Sequence, residues 1–198
     1  FPVVLMGWAS CSHSGTGHAA LPDPRAVDKS VPEYKNTFHP STYAHFVARK
    51  DYRKTYDVYK DDTLLNRQPK KSRKIFVCLD EQRGQYLVDG LVAMDFPLSS
   101  GVKAYPTKTG DYAVISKKED HASNLYGKMY DAEGKCINYN AESTDPIPEG
   151  GRFDGSPMPY WQRLTNAGLG LHVGKVRRHP VSHGCVRLPR NVAEILYR

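Results

Sequence analysis

Short apolar runs punctuated by glycine, proline and asparagine dominate the chain from residue 74 onward. Ile75-Phe-Val-Cys-Leu79, Gln85-Tyr-Leu-Val88 and Leu91-Val-Ala-Met-Asp-Phe96 are rich in strand-forming residues. Asp89-Gly90 between the last two is a hairpin signal, because both residues tolerate positive φ. Asp111 to Ser116 alternates apolar and polar residues like a half-buried strand. Residues 117–157 are polar and interrupted by Gly and Pro, which leaves one expected strand at Lys128–Tyr130. Tyr160–Leu164 and Gly168–Val173 complete the expected strands. Two short helices are expected, one over Thr42–Arg49 with Ser41 as its cap, the other over Asn191–Tyr197 with Asn191 as its cap. Short strands at regular spacing with turn residues between them predict a mainly β fold, a sandwich or barrel with a few short helices.

The 198 residues suffice for one core and a tail. The expected boundaries are 1–11, a targeting segment; 12–73, an extended linker rich in Pro, His, Ser and Lys with the short helix inside it; and 74–198, the folded domain. The last helix runs to Arg198 without a C-terminal cap, so the domain is expected to continue past it.

Charge narrows the partner only a little. The formal net charge is +7 at neutral pH, which suits an anionic partner such as a nucleic acid, an anionic lipid or an acidic wall polymer. The basic run Gln68-Pro-Lys-Lys-Ser-Arg-Lys74 reads as a solvated linker, and no nucleic acid is expected. The start is more specific. Phe1-Pro-Val-Val-Leu-Met-Gly-Trp-Ala-Ser-Cys11 is apolar, with small residues before the cysteine, and resembles the end of a bacterial lipoprotein signal. On that resemblance Cys11 is lipidated and anchors an exported protein in the cell envelope or periplasm; Trp8 departs from the usual Leu. A core strand over the same run is the disfavoured reading. With Cys11 set aside, Cys78, Cys136 and Cys185 remain, and an odd count flags a free thiol. Pairing of Cys78 with Cys136 stays open.

The chemistry concentrates in Gly170-Leu-His172-Val-Gly-Lys-Val-Arg-Arg-His-Pro-Val-Ser182-His183-Gly184-Cys185-Val-Arg187-Leu188, which holds three of the eight histidines. A thiol has an ordinary pKa of about 8.5, so little of it is thiolate near neutrality. An adjacent imidazole can take its proton and hold the resulting ion pair. His183, two residues before Cys185, and His172, at the end of an expected strand, both qualify. Gly184 permits a tight turn, and the amides of Gly184 and Cys185 can then face a developing oxyanion.

Ser182-His-Gly-Cys-Val-Arg-Leu188 with His172 upstream resembles the signature of the L,D-transpeptidase (YkuD) catalytic domain. Further blocks resemble the same family in order: Asp80-Glu-Gln82, Ser99-Ser-Gly101, Pro106-Thr107, Thr109-Gly110-Asp-Tyr112 and Met158-Pro-Tyr-Trp161. The resemblance covers roughly residues 74–198 and implies a β-sandwich-like catalytic domain. It makes Cys185 the nucleophile and His172 the general base, oriented by the backbone carbonyl of Val173 or a neighbour. His183 would shape the site, and Gly184 and Cys185 would supply oxyanion amides. Arg187 would face a substrate carboxylate or brace the loop. Ser182 is assigned to the substrate loop through a local turn hydrogen bond, and Tyr160 and Trp161 to the core or the acceptor groove. The implied substrate is a tetrapeptide stem of peptidoglycan containing diaminopimelate, with no metal and no organic cofactor. The spacing from His172 to Ser182 is shorter than in much of the family, which implies a small lid.

Three other readings compete. The same thiol with water as acceptor is a carboxypeptidase or amidase. His172, His179, His183 and Cys185 are all zinc-ligand types, though their spacing fits no standard site. A basic binding module would leave the Ser-His-Gly-Cys segment without a use.

Overall fold

The computed structural model describes residues 3–7 (as backbone), 42–68 and 72–198. In chain order these form β1 (Val3–Gly7), α1 (Tyr43–Ala48), β2 (Tyr59–Lys60), α2 (Asp62–Leu65), β3 (Arg73–Cys78), β4 (Arg83–Val88), β5 (Leu91–Pro97) and β6 (Gly110–Ala113). There follow β7 (Ser116–Lys118), β8 (Ala122–Tyr130), β9 (Cys136–Glu142), β10 (Arg152–Pro157), β11 (Trp161–Arg163), β12 (Gly170–Val173), β13 (Val186–Leu188) and α3 (Arg190–Tyr197). The fold is mainly β, as its sequence pattern predicts.

Three sheets result, with strand orders β2-β5-β4-β3-β1-β6, β10-β8-β9 and β13-β12-β11-β7. The β4–β5 hairpin turns at Asp89 and Gly90, whose φ angles of 52° and 86° are the pair a two-residue turn of this hand requires. The inward side chains of β3 to β5, among them Ile75, Val77, Val88, Met94 and Phe96, share one core with Leu171, Val186 and Leu188 of the four-stranded sheet. Val192, Ala193 and Leu196 of α3 close that core. Each such side chain, fully buried, contributes roughly 1.5–3 kcal/mol from its apolar surface.

Several elements differ from the sequence expectation, each for a physical reason. The single strand expected over 111–116 is two: β6 pairs with β1 and β7 with β11, so the chain changes sheets between them. Residues 117–157 hold a whole sheet, because β8 and β9 are largely solvated and carry little apolar alternation. Thr42 caps α1, accepting from the His45 amide; Ser41 lies outside the described residues. Pro189 occupies the N-cap position of α3, so Asn191 lies inside the helix. Val3–Gly7 takes strand form, parallel to β3 and antiparallel to β6. A signal's apolar run and a sheet strand ask for the same residues, so their sequence alone does not separate the two uses. Cys11 lies outside the described residues. Cys136 is a free thiol and Cys78 is disulfide-bonded, so the two are not joined to each other.

Much of the stretch before the domain is folded against it. Arg83 and Asp95 form an ion pair of 2.6 Å, with side-chain exposures of 2% and 0%. The hydroxyls of Tyr43 and Tyr52 each donate to Asp95 Oδ2 at 2.7 Å. The rest of the Arg83 guanidinium donates to the carbonyls of Thr55 and Asp57. Every donor and acceptor of this buried charge pair therefore has a use, which is the condition under which such a pair is tolerated in a core.

Candidate active site

The parallel ladder between β12 and β13 organises the site. Its register sets Leu171 beside Val186, His172 beside Arg187 and Val173 beside Leu188. Cys185 immediately precedes β13, so strand alternation puts it on the face that Arg187 and His172 share. His172 is buried, at 6% exposure. Its Nδ1 lies 2.8 Å from the Val173 carbonyl oxygen. A carbonyl only accepts, so Nδ1 carries the hydrogen and Nε2 is left as the basic nitrogen.

The loop that delivers Cys185 is held on several sides. Ser182 is buried, accepts from the Gly184 amide at 3.2 Å and donates to the Cys185 carbonyl. The Val181 and Ser182 amides both go to the Ser100 carbonyl, and the Val102 amide goes to the Ser182 carbonyl. Thr107, 1% exposed, accepts from the Gly101 amide at 2.8 Å and donates to the Gly184 carbonyl at 2.6 Å. Gly184 adopts φ of 111°, a conformation open to glycine and costly for other residues. Gln82 binds the same strap through Ser100, at 2.8 and 2.9 Å.

The electrostatics favour uncharged reactants. Burial pushes the His172 pKa down to about 4, the Val173 carbonyl opposes this, and the charges of Arg187 and His121 add to it. Burial raises the Cys185 thiol, against the Gly170 amide and the Arg187 charge. Both shifts favour the neutral form of each group, whereas sequence reasoning allowed for a preformed ion pair. The sulfur donates to the Gly168 carbonyl at 3.4 Å and makes no hydrogen bond to His172 among the described residues.

The remaining sequence-predicted residues divide. His183 is exposed and stacks on Tyr126, with ring centres 4.3 Å apart, while Tyr105 lies 4.8 Å away on another side. Arg187 is half-buried and its guanidinium has no hydrogen bond or ion pair among the described residues. Gly174 makes room for it: a Cβ there would sit 2.8 Å from the Arg187 side chain. Trp161 is buried, with its ring centre 6.0 Å from His172 and 5.1 Å from His121. Tyr160 turns the other way, against Tyr197 and Arg190 of α3. His179 is exposed in the loop before Ser182. No group of three or more His, Cys, Asp or Glu residues able to hold a metal occurs among the described residues, so the zinc reading has no site there.

Sequence reasoning missed Tyr105, Tyr126 and His121, which come near the site from loops and strands distant in sequence. Thr107 and Gln82 stood within the quoted family blocks but had no role assigned.

The family described as YkuD, L,D-transpeptidase catalytic domain, matches residues 72–198. A solved L,D-transpeptidase from Stackebrandtia nassauensis is 22% identical, with a TM-score of 0.45 over 78% of this chain and 58% of that one. One from Mycobacterium smegmatis is 22% identical, with a TM-score of 0.44 over 60% of this chain and 50% of that one. The catalytic domain of the Enterococcus faecium L,D-transpeptidase is 27% identical, with a TM-score of 0.45 over 64% of this chain and 88% of that one. The chain spans about half the length of the first two proteins. No curated protein sequence matches it.

Proposed function

This chain belongs to the L,D-transpeptidase (YkuD) catalytic-domain family through residues 72–198, and from that membership we propose that it joins peptidoglycan stems with Cys185 as nucleophile and His172 as base. The observation that carries the reading is the β12–β13 register, which puts both residues on one face, with His172 fixed by the Val173 carbonyl. His172 Nε2 takes the thiol proton as Cys185 Sγ attacks the carbonyl of the third stem residue, diaminopimelate. The C–N bond to terminal D-Ala breaks, and the leaving amine takes the proton from His172. An amine of a second stem then attacks the thioester, the C–S bond breaks, the amine's proton passes through His172 to the departing Cys185 sulfur, and a cross-link between third residues is left. Burial favours the uncharged form of both groups, so in this scheme proton transfer accompanies attack.

The Cys185 amide serves the oxyanion, joined by the Gly184 amide when its bond to Ser182 opens. Arg187 receives a carboxylate of the stem, for which an otherwise unused guanidinium is suited. His183 stays stacked on Tyr126, with Tyr105 tilted against it, and shapes the donor pocket. Trp161 walls the site beside His172. No metal or cofactor enters this scheme. A lipid on Cys11 does not fit a chain of four cysteines in which Cys78 is disulfide-bonded and Cys136 and Cys185 are free, so we place the protein at the cell envelope and do not route its retention through Cys11. Cell fractionation reads this directly: recovery with the envelope supports it, and recovery in the cytosol refutes it.

The reaction is tested by incubating purified disaccharide-tetrapeptide with the protein and analysing products by mass spectrometry. Dimers joined through third residues, lost in Cys185→Ala, support the reading. Tripeptide monomer alone makes the enzyme a carboxypeptidase, and no change removes the proposal. A carbapenem adduct on Cys185, seen by intact mass, is expected to form slowly.

A further inference from the structure

The segment carrying Tyr56 lies before the family match, which starts at residue 72, yet it touches the loop that joins His172 to Cys185. The segment is rigidly seated. Arg83 donates to the backbone carbonyls on both sides of Tyr56, to Thr55 at 3.0 Å and Asp57 at 3.3 Å. Arg49 adds ion pairs to Asp51 at 2.8 Å and Asp57 at 2.6 Å. Tyr56 is nonetheless 58% exposed, so burial does little to explain it. Its hydroxyl donates to the Arg177 carbonyl at 3.2 Å, and its ring lies 6.0 Å from the Arg178 guanidinium.

Arg178 is the strained residue of that loop. Its φ of 55° is left-handed, a conformation that costs a residue with a Cβ on the order of 1–2 kcal/mol. Tyr56 faces its guanidinium, and the Glu81 carbonyl accepts from Nη2 at 3.3 Å. Glu81 also pairs with Arg53 of the same segment at 3.6 Å. The constraint passes onward. The Arg177 amide donates to Ser99 Oγ at 2.8 Å, and Ser99 exchanges backbone hydrogen bonds with Arg187, two residues past the nucleophile.

We propose that Tyr56 is a positioning residue: the segment 49–57 is a brace that holds the 174–181 loop and so fixes the approach of Cys185 to His172. The inference rests on the catalytic reading for its kinetic arm alone. In full-length protein, Tyr56→Ala is expected to lower kcat for dimer formation by roughly ten- to a hundredfold, as small misplacements of reacting groups do, with KM unchanged. Amide exchange in peptides covering 176–185 accelerates at least about tenfold, because a tied loop becomes free to open. The melting temperature stays where it was, as for an exposed side chain. Tyr56→Phe, which keeps the ring over Arg178 and loses the hydroxyl, recovers part of both effects. The proposal is overturned if Tyr56→Ala leaves kcat and exchange at wild-type values, or if its loss of rate is matched by a lower melting temperature. Should the wild type form no dimer, the catalytic reading fails. The brace is then judged by exchange and by the rate at which iodoacetamide alkylates the Cys185 peptide, which must change in Tyr56→Ala for it to stand.

Discussion

The sheet built on β3, β4 and β5 and the sheet built on β8, β9 and β10 hold together in different ways. The first buries Ile75, Val77, Met94 and Phe96 completely and seals a charged pair beneath two tyrosines. The second buries Met129 and Ala141 but leaves Leu125, Ile137 and Tyr139 substantially in water. Its surface is dressed with side chains that cover one another, Lys128 over Tyr139 and Arg152 over Tyr130. One region is a frame that shares its core with the strands carrying His172 and Cys185. The other is a thin layer that reaches the site through Tyr126 against His183. Few buried contacts and a solvated ladder mark a region that opens at low free energy, and a frame with a shared core opens only globally.

Substitutions can break this contrast. The largest effect is expected at Asp95→Ala, which strands the Arg83 guanidinium in the core and frees two tyrosine hydroxyls. Urea denaturation should show a loss of about 3–5 kcal/mol. The double change Arg83→Met with Asp95→Leu should cost less, because no charge is left unpaired.

Next comes acid. His172 has a folded pKa of about 4 and an unfolded value near 6.5. Between those values the unfolded chain binds more protons, so stability rises with pH there. The stability is fully present above pH 6.5 and falls progressively as the pH drops through 4, by roughly 3 kcal/mol in total. Denaturation midpoints across that window, in wild type and His172→Gln, isolate this share: the variant should have a flatter profile.

A smaller effect of opposite sign is expected at Gln162→Met. Gln162 is fully buried and both polar atoms of its amide lack partners among the described residues. Replacing it with an apolar side chain of similar volume should raise stability by about 1 kcal/mol. Last, Tyr139→Ser in the thin layer should move the denaturation midpoint by no more than about 0.5 kcal/mol. A loss comparable to that of Asp95→Ala would show that the two sheets form one cooperative unit.

How legible each region was follows from the same difference. The frame strands announce themselves, since one buried face forces apolar residues to alternate and Asp89-Gly90 marks the turn. β8 and β9 are largely solvated and bury only a few side chains such as Met129 and Ala141, so that signal is faint and only Lys128–Tyr130 of this sheet reads as strand. At the site, the family resemblance was legible because Ser182-His-Gly-Cys185 stands together in the sequence, and the β12–β13 pairing then brings the strand of His172 beside it. Tyr126, Tyr105 and His121 were not, because they meet the catalytic loop through pairings that no local pattern encodes. Nothing in the sequence next to Arg83 marks it for the core. Its place in the core depends on Tyr43, Tyr52 and Asp95, which come from three separate elements. The linker reading of residues 42–68 failed for that reason: polar and aromatic composition suits a tether, and here it suits a clasp on a buried charge.

The parallel pairing of β12 with β13 has a consequence for how such a chain can vary. A parallel neighbour is reached only by a crossover that carries the chain back to the starting end. Here that crossover is the stretch from Gly174 to Cys185. The ladder aligns the strand of His172 with the segment that follows Cys185 through backbone pairing, and the braced crossover completes the placement of the sulfur. Residues can therefore be added to or removed from its exposed part, around His179 and Pro180, altering the rim of the site while the strand register is kept. Spacing along the polymer and separation in space are decoupled across this pair of strands.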